Sequence, residues 1–172
     1  LRVASETLPG VESVAVAVSV AVGSRHETEA QNGISHLLEH MAFKGTATRS
    51  ARDIAEAFDA IGGQFNAYTS AENTVYYAKV LSSHLPVAVE ILADILRNSR
   101  FDAEELKREQ GVVLQEIAMQ RDTPDDLIFD LFDAAAYPDQ PMGRSILGTP
   151  EQISAYTRND VVSYMQQHYT PR

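Results

Sequence analysis

The residues best suited to chemistry are two histidines and a glutamate in the pattern His-x-x-Glu-His at positions 36–40. If this stretch is helical, His36 and His40 are four residues apart and share a face, with Glu39 beside them. Two neutral imidazoles and a carboxylate are what a catalytic zinc site requires: nitrogen ligands, and a base next to an open coordination position. The alternative is an amphipathic helix whose histidines lie at its polar edge.

A third metal ligand must be sought outside this motif, since three protein ligands and a water are the usual catalytic zinc set. The chain has no cysteine, which excludes thiolate ligands, disulfides and a cysteine nucleophile. The remaining candidates are the acidic residues and the histidines His26, His84 and His168. These three histidines are interpreted as a surface loop residue, a strand–helix junction residue and a residue of the last helix.

An acidic stripe on one predicted helix offers carboxylate ligands. Glu109 and Glu116 are seven residues apart, so they share a helix face about 10 Å apart along the axis, and Glu105 continues the stripe. Glu116 stands among valine, leucine, isoleucine and alanine, which predicts that it is at least partly buried. A buried carboxylate needs a partner or a metal. The alternative is a solvated acidic face, and residue types alone leave the choice open.

Length and composition indicate one ordinary globular domain. The 172 residues are 44% hydrophobic and 22% charged, enough to bury a core. A formal net charge of −10 and the lack of a basic stripe argue against nucleic acid as a partner. No apolar run approaches the ~18 residues of a membrane span, so no membrane partner is expected. Because the chain begins with Leu1, we expect a domain excised from a longer protein.

The order of hydrophobic patterns predicts an α+β fold, with a mostly antiparallel sheet and helices packed against it. Strands are predicted at residues 1–6, 11–23, 64–70 and 74–82. Helices are predicted from the motif to about 44, over 50–61, 86–98, 102–120 and 123–137, and after 149 and 157.

Three local expectations accompany these elements. Asn32 is predicted to cap the helix that carries the motif. The polar segment 24–31 is predicted to be a loop with solvated charges at Arg25, Glu27 and Glu29. The helix at 86–98 is predicted to bury a stripe formed by Val87, Ile91, Ile95, Leu92 and Leu96.

Several segments are similar to the N-terminal, zinc-binding domain of the pitrilysin–insulysin–mitochondrial processing peptidase family. They are Gly23-Ser24-Arg25, the motif stretch 33–46, Gly-Gly-Gln-Phe-Asn-Ala-Tyr-Thr at 62–69, Val-Val-Leu-Gln-Glu-Ile at 112–117, Pro124, and Leu-Gly-Thr-Pro at 147–150. The resemblance covers essentially the whole chain and is strongest to bacterial members and to the catalytic subunit of the processing peptidase. His-x-x-Glu-His reverses the commoner zinc motif, as is typical of the inverzincins.

The resemblance implies a role for each site residue. In that family the third zinc ligand is a glutamate about 76 residues after the second histidine, and 40 plus 76 is 116, the position of Glu116. His36, His40 and Glu116 would therefore hold Zn²⁺, and Glu39 would be the general base of peptide-bond hydrolysis. A glutamate seven residues before the ligand corresponds to Glu109, which would assist catalysis by orienting the ligands or by supporting the metal site.

The resemblance also implies an extended peptide substrate, which adds to the edge of a strand beside the site. That strand contains Phe65, Asn66, Ala67 and Tyr68, which are predicted to bind substrate, chiefly through the backbone. The alternative is an ordinary edge strand. Arg144 is predicted to contact either substrate or, as slightly favoured, an acidic surface residue.

Members of the family are assembled from such domains in pairs, within one chain or between subunits, and close a chamber around the substrate. The second domain, and the strand after the Tyr169-Thr170-Pro171 region, would lie outside these residues. We therefore expect a single zinc metalloendopeptidase domain over residues 1–172, with a LuxS/processing-peptidase-like metallohydrolase fold, weakly active or inactive alone. The alternative is a non-catalytic structural or substrate-binding subunit, but such members typically lose the zinc motif, which is intact here.

Overall fold

The computed structural model describes residues 1–170, which form three strands and seven α-helices. The strands are β1 (Ser13–Val20), β2 (Gln64–Thr69) and β3 (Thr74–Leu81). The helices are α1 (Ile34–Ala42), α2 (Ala51–Ala60), α3 (Leu85–Asn98), α4 (Ala103–Asp122), α5 (Pro124–Ala136), α6 (Pro150–Ala155) and α7 (Arg158–His168). The predicted α+β class is confirmed. None of the helices in this described part is long and apolar enough to cross a membrane.

The sheet is antiparallel throughout, with β3 in the centre, β1 on one side and β2 on the other. Ala17 of β1 lies opposite Tyr77 of β3, which in turn lies opposite Asn66 of β2. A hydrogen bond from the Ser70 amide to the Asn73 carbonyl (2.8 Å) closes the turn between β2 and β3. Within residues 1–170, β2 is therefore an edge strand.

The predicted strand at residues 1–6 is wrong. Residues 1–12, all of them described, form no strand and are exposed. Leu1 and Val3 are 87% and 85% exposed, so these two apolar side chains lie largely in solvent. A strand is stabilised by a neighbouring backbone and by burial of one face, and local alternation of residues supplies neither. The expected final strand, after the Tyr169-Thr170-Pro171 region, lies outside the described residues.

The helices cover one face of the sheet and leave the other exposed. Inner-face side chains such as Val16, Tyr76 and Ala78 pack against α2 and α3. On the outer face, Ala17 and Tyr77 are exposed. This one-sided cover accounts for the alternation of large and small residues along β1, because the larger side chains of that strand point to the helices.

A second core packs α1 against α4, α6 and α7. The residues that these helices bury there include Ile34, Leu37, Leu38, Met41, Leu106, Val113, Ile117, Ile153, Val161 and Tyr164. On its other side α1 lies next to β2. Because α1 is held between helices and sheet, packing determines the directions in which its polar side chains point.

The predicted stripe of α3 is wrong at its first position. Val87 is 38% exposed, and Ala88 is fully buried in its place. Ala88, Ile91, Leu92 and Ile95 follow the spacing i, i+3, i+4 and i+7, which is the continuous face of one helix. Hydrophobicity alone favours the larger valine, whereas the helix turns the small alanine towards the sheet.

Candidate active site

The start of α1 is formed by a glycine and not by the predicted cap, Asn32. Gly33 is the N-cap and has φ of +89°, a left-handed conformation that glycine adopts readily. A Cβ on Gly33 would lie 2.8 Å from the Cα of Gly148. Asn32 donates its side-chain amide to the carbonyl of Ser145 instead (2.9 Å). The two glycines therefore let the loop before α6 contact the beginning of the motif helix.

The first amides of α1 are bound by Glu27, which was wrongly predicted to be solvated. Glu27 is 2% exposed. Its carboxylate accepts hydrogen bonds from the amides of Gly33 and Ser35, both at 2.8 Å, and from Asn32 Nδ2 at 3.3 Å. Burial raises the pKa of this carboxyl, and the two amide bonds oppose that shift. The polar composition of segment 24–31 concealed the fact that this segment packs against the helix start.

Three predicted ligands converge on one point: His36 and His40 from α1, and Glu116 from α4. The centroids of the two imidazole rings lie 4.6 Å apart. Glu116 Oε2 lies 3.8 Å from His36 Nε2 and 3.6 Å from His40 Nε2. One donor atom from each of the three residues lies within 4.8 Å of the others. These separations suit a single ion bound about 2 Å from each donor.

The donor atoms of this cluster fit a zinc ion. Among the buried atoms of residues 1–170, Glu116 Oε2 is one that has no hydrogen-bond partner. Burial, together with the neighbouring His40, lowers the pKa of His36 to about 4, so its ring is neutral at neutral pH. Two neutral imidazoles and a carboxylate form a familiar catalytic zinc set. The cluster is therefore able to hold the metal that the motif predicts.

Glu39, the residue before His40 on α1, lines the same cleft as His36 and Glu116. It is 9% exposed, and the hydroxyl of Thr69 donates to its Oε2 at 2.5 Å. Burial raises the pKa of Glu39, although the bond from Thr69 opposes the shift. A raised pKa suits a carboxyl that accepts and releases a proton near neutral pH. The sequence predicts no contact between Thr69 and Glu39. The one signal for this contact is that Thr69 lies at the end of the predicted substrate strand.

Glu109 binds Nδ1 of His40, the ring nitrogen that does not face Glu116. It is 5% exposed, with Oε2 at 3.0 Å from His40 Nδ1 and Oε1 at 2.7 Å from Lys44 Nζ. A carboxylate on one ring nitrogen fixes the orientation of the ring and leaves the other nitrogen for a metal. Lys44, two residues after the end of α1, was not singled out from the sequence. Its contact with Glu109 depends on α1 and α4 lying side by side.

The cluster opens into a cleft of about 550 Å³. The lining from β2 consists of Ala67, Tyr68 and Thr69, and that from α5 includes Asp126, Phe129 and Asp130. A cleft of this size accommodates several residues of an extended peptide, and ligand sites commonly have such dimensions.

The four predicted substrate residues occupy β2 beside this cleft. The ring of Phe65 stacks on Phe58 in the core, with centroids 4.1 Å apart, so that side chain is committed to packing. Asn66 Oδ1 accepts a hydrogen bond from the amide of Ala67 (2.9 Å). Tyr68 is 51% exposed. Substrate binding by these residues stays a prediction.

The remaining sequence candidates lie outside the cluster. His26 Nδ1 accepts from the Gly23 amide at 3.2 Å. Glu105 forms an ion pair with Arg108 on the surface. Arg144 donates to the main-chain carbonyl of Glu27, so its partner is a backbone oxygen and not an acidic surface side chain. The other two histidines, before α3 and at the end of α7, are His84 and His168.

Comparison with known proteins identifies the family. The family described as "Insulinase (Peptidase family M16)" matches residues 2–150. The chain belongs to this family. A protein of Rickettsia felis named "Uncharacterized zinc protease" is 52% identical over 169 residues, which is 98% of this chain and 41% of that protein. The chain thus spans about two fifths of the length of this relative.

Solved structures agree with the assignment. A protease from Helicobacter pylori superposes with a TM-score of 0.89 at 28% identity, covering 94% of this chain and 39% of the other. Pitrilysin superposes with a TM-score of 0.82 at 28% identity, covering 94% of this chain and 18% of the other. The predicted family and its peptidase fold are confirmed.

Proposed function

We propose that this chain is the zinc-binding domain of a metalloendopeptidase, with His36, His40 and Glu116 as the ligands of Zn²⁺. The observation that carries the proposal is the convergence of their donor atoms within 4.8 Å. Relatives named zinc proteases support it. Bound zinc would polarise a water molecule and the scissile carbonyl, and would stabilise the negative charge that develops during hydrolysis.

Glu39 acts as the general base of this reaction. It takes a proton from the attacking water and passes it to the amine that leaves when the C–N bond breaks. The hydrogen bond from Thr69 occupies Oε2 of Glu39, so Oε1 is the oxygen left for the proton. Glu109 keeps Nε2 of His40 directed towards Glu116 by binding the other ring nitrogen.

The substrate is an extended peptide that pairs with β2. β2 is an edge strand within the described residues and contributes Ala67, Tyr68 and Thr69 to the cleft lining. A peptide added to this edge would form main-chain hydrogen bonds and would bring a carbonyl beside Glu39. Asn66 would have to release the Ala67 amide for that amide to bind substrate, because its side chain now accepts from it.

A second domain of the same family closes the cleft over α5. The outward side chains of α5 are apolar and between 56% and 69% exposed: Ile128, Phe129, Leu131 and Phe132. Its less exposed positions include Asp130 and Asp133. A solvated helix has the opposite arrangement, so this apolar face favours a covering partner. Since Phe129 also lines the cleft, the chain alone is expected to be weakly active or inactive.

The test combines zinc content with peptide cleavage, using the longest protein that the gene encodes. We expect one zinc per chain, and Glu39→Gln should keep that zinc while kcat falls at least about 100-fold, since the general base is lost. Glu56→Gln is the matched control, because Glu56 lies on the surface of α2, where it pairs with Arg52. Metal is measured by atomic emission and cleavage with a quenched fluorescent peptide.

Two outcomes decide against the proposal. Glu39→Gln protein that holds zinc and cleaves at the rate of the parent would exclude Glu39 as the base. Zinc that binds stoichiometrically without any cleavage, even in the longest protein, would instead favour the non-catalytic alternative. The intact motif and the convergence of its three ligands are the observations that count against that alternative.

A further inference from the structure

The two histidines of the cluster are held in different ways. The ring of His40 is fixed by Glu109, whose Oε2 lies 3.0 Å from Nδ1. The corresponding nitrogen of His36, Nδ1, is buried and has no hydrogen-bond partner within residues 1–170. A metal-binding histidine ordinarily uses its second ring nitrogen to bind a carboxylate, a carbonyl or a water. The direction of the His36 ring therefore depends on its backbone and on packing.

The backbone beside His36 is held by Glu27. The two carboxylate oxygens divide between two amides: Oε1 accepts from Ser35, the residue before His36, and Oε2 accepts from Gly33, the N-cap. Both distances are 2.8 Å. Asn32 Nδ2 adds a third bond to Oε2 at 3.3 Å. One side chain thus fixes the peptide units that set where the first turn of α1 begins.

This arrangement differs from an ordinary helix cap. Caps are usually short polar side chains at the N-cap position itself, binding one amide of the first turn. Here the cap residue has no side chain, and the carboxylate comes from six residues earlier in the chain. It is 2% exposed, and burying a charge is costly unless hydrogen bonds compensate it. Glycine at position 33 also has no Cβ with which to restrain the turn.

We propose that Glu27 is a positioning residue for His36: by binding the amides of Gly33 and Ser35 it directs the imidazole to the metal position. The inference rests on the proposed function, in which His36 is a zinc ligand. Glu27 is neither a member of the three-residue cluster nor one of the residues that line the cleft. Glu27 orients His36 through the backbone, whereas Glu109 orients His40 through the imidazole ring.

The test measures zinc affinity of the full chain by competition with a chromophoric chelator. We expect Glu27→Gln to weaken zinc binding about 10-fold or more, because the amide NH₂ of glutamine faces one of the two backbone N–H groups. The visible spectrum of the Co²⁺-loaded protein should also change in intensity, since that spectrum reports the geometry of the ligands. A purely structural role would lower the unfolding midpoint without moving either readout.

Asp94→Asn is the control for lost stability. Asp94 is likewise buried and accepts bonds from Thr46, Arg49 and Asn98, but it lies on α3, outside the cluster and its cleft. We expect this variant to unfold at lower temperature while binding zinc and Co²⁺ as the parent does. If Glu27→Gln does not fold, Glu27→Asp carries the same test, because the shorter carboxylate reaches only one of the two amides.

His40→Ala separates the inference from the proposed function. Loss of zinc in His40→Ala, with parent-like affinity and Co²⁺ spectrum in a folded Glu27→Gln protein, overturns the positioning role alone. Retention of stoichiometric zinc by His40→Ala overturns the proposed metal site itself. Weakened zinc binding in Asp94→Asn equal to that in Glu27→Gln also overturns the positioning role, because general destabilisation would then explain both.

Discussion

The two ends of α1 place their histidines by different means. At the C-terminal end, the ring of His40 contacts Glu109, which also binds Lys44 at 2.7 Å. At the N-terminal end, Nδ1 of His36 has no hydrogen-bond partner within the described chain, and Glu27 binds the backbone before His36. One ligand is oriented by a side chain from another helix, and the other by the point at which its own helix begins.

The two histidines thus illustrate two ways of fixing the orientation of a metal ligand. A ring held by a carboxylate keeps its direction if the backbone shifts slightly, since the hydrogen bond acts on the ligand itself. A ring held only through its backbone moves with the helix start. We therefore expect changes around His40 to act mainly on the metal, and changes around His36 to act on metal and fold together.

The largest effect that sharpens the comparison is expected at Glu109. Glu109→Gln should weaken zinc binding about 10- to 100-fold, because the ring of His40 loses the charged partner that directs its Nε2 towards Glu116. The measurement is chelator competition at neutral pH. Glu105→Gln is the control, since Glu105 lies on the same helix and pairs with Arg108 on the surface.

Glu109→Gln should have a smaller effect on stability than Glu27→Gln. The unfolding midpoint of the metal-free protein should fall by less than in Glu27→Gln, because no backbone amide loses its acceptor. If zinc affinity is unaltered, or if the metal-free protein fails to fold, the claim that Glu109 orients the ring of His40 for the metal is refuted.

The role of Glu109 beside His40 was predicted from the sequence, whereas the role of Glu27 at the start of α1 was not. Helical spacing places His36 and His40 on one face, and the same argument places Glu109 and Glu116 on one face of α4. Family resemblance then joined the two helices. Besides that resemblance, the prediction needed only regular helices, whose geometry extends over many residues and is insensitive to the exact cap.

Glu27 was missed for a physical reason. It stands between Arg25 and Glu29 in a segment whose composition is that of a solvated loop. Its burial depends on that segment packing against the start of α1, where Gly33 and Gly148 approach each other closely. Such contacts between distant loops leave no periodic pattern. The false strand at residues 1–6 arose in the converse way, from a periodic pattern in residues that stay exposed.

Lys44 is expected to have an intermediate effect. Lys44→Met removes the ion pair with Glu109 but leaves the bond between Glu109 and His40, so zinc binding should weaken only about 2- to 5-fold. The side chain of Lys44 is 30% exposed, which allows water to replace part of the lost contact. Lys79→Met, on the outer face of the sheet, controls for the loss of one positive charge.

Chelator competition again provides the readout, now at two salt concentrations. The Lys44→Met effect should be similar at both, because Glu109 is buried and salt screens buried pairs weakly. An effect as large as that of Glu109→Gln would mean that the charge of Lys44, and not the orientation of His40, governs metal binding.

The smallest effect is expected at Tyr164, where the start of α1 has a second anchor. The hydroxyls of Tyr164 and Ser35 are hydrogen-bonded at 2.8 Å in a buried position. Tyr164→Phe should lower the free energy of unfolding by about 1 kcal/mol, because Ser35 loses that partner. Zinc affinity should change less than about 2-fold, since Glu27 still binds the Ser35 amide.

Denaturant unfolding and chelator competition on Tyr164→Phe distinguish backbone from side-chain anchoring of the helix start. Tyr77→Phe, on the outer face of β3, is the matched control for losing a tyrosine hydroxyl. If Tyr164→Phe weakens zinc binding as much as Glu27→Gln, the serine side chain holds the turn and the backbone amides do not. If stability falls while affinity is kept, the first turn of α1 is held for His36 through the peptide units that Glu27 binds.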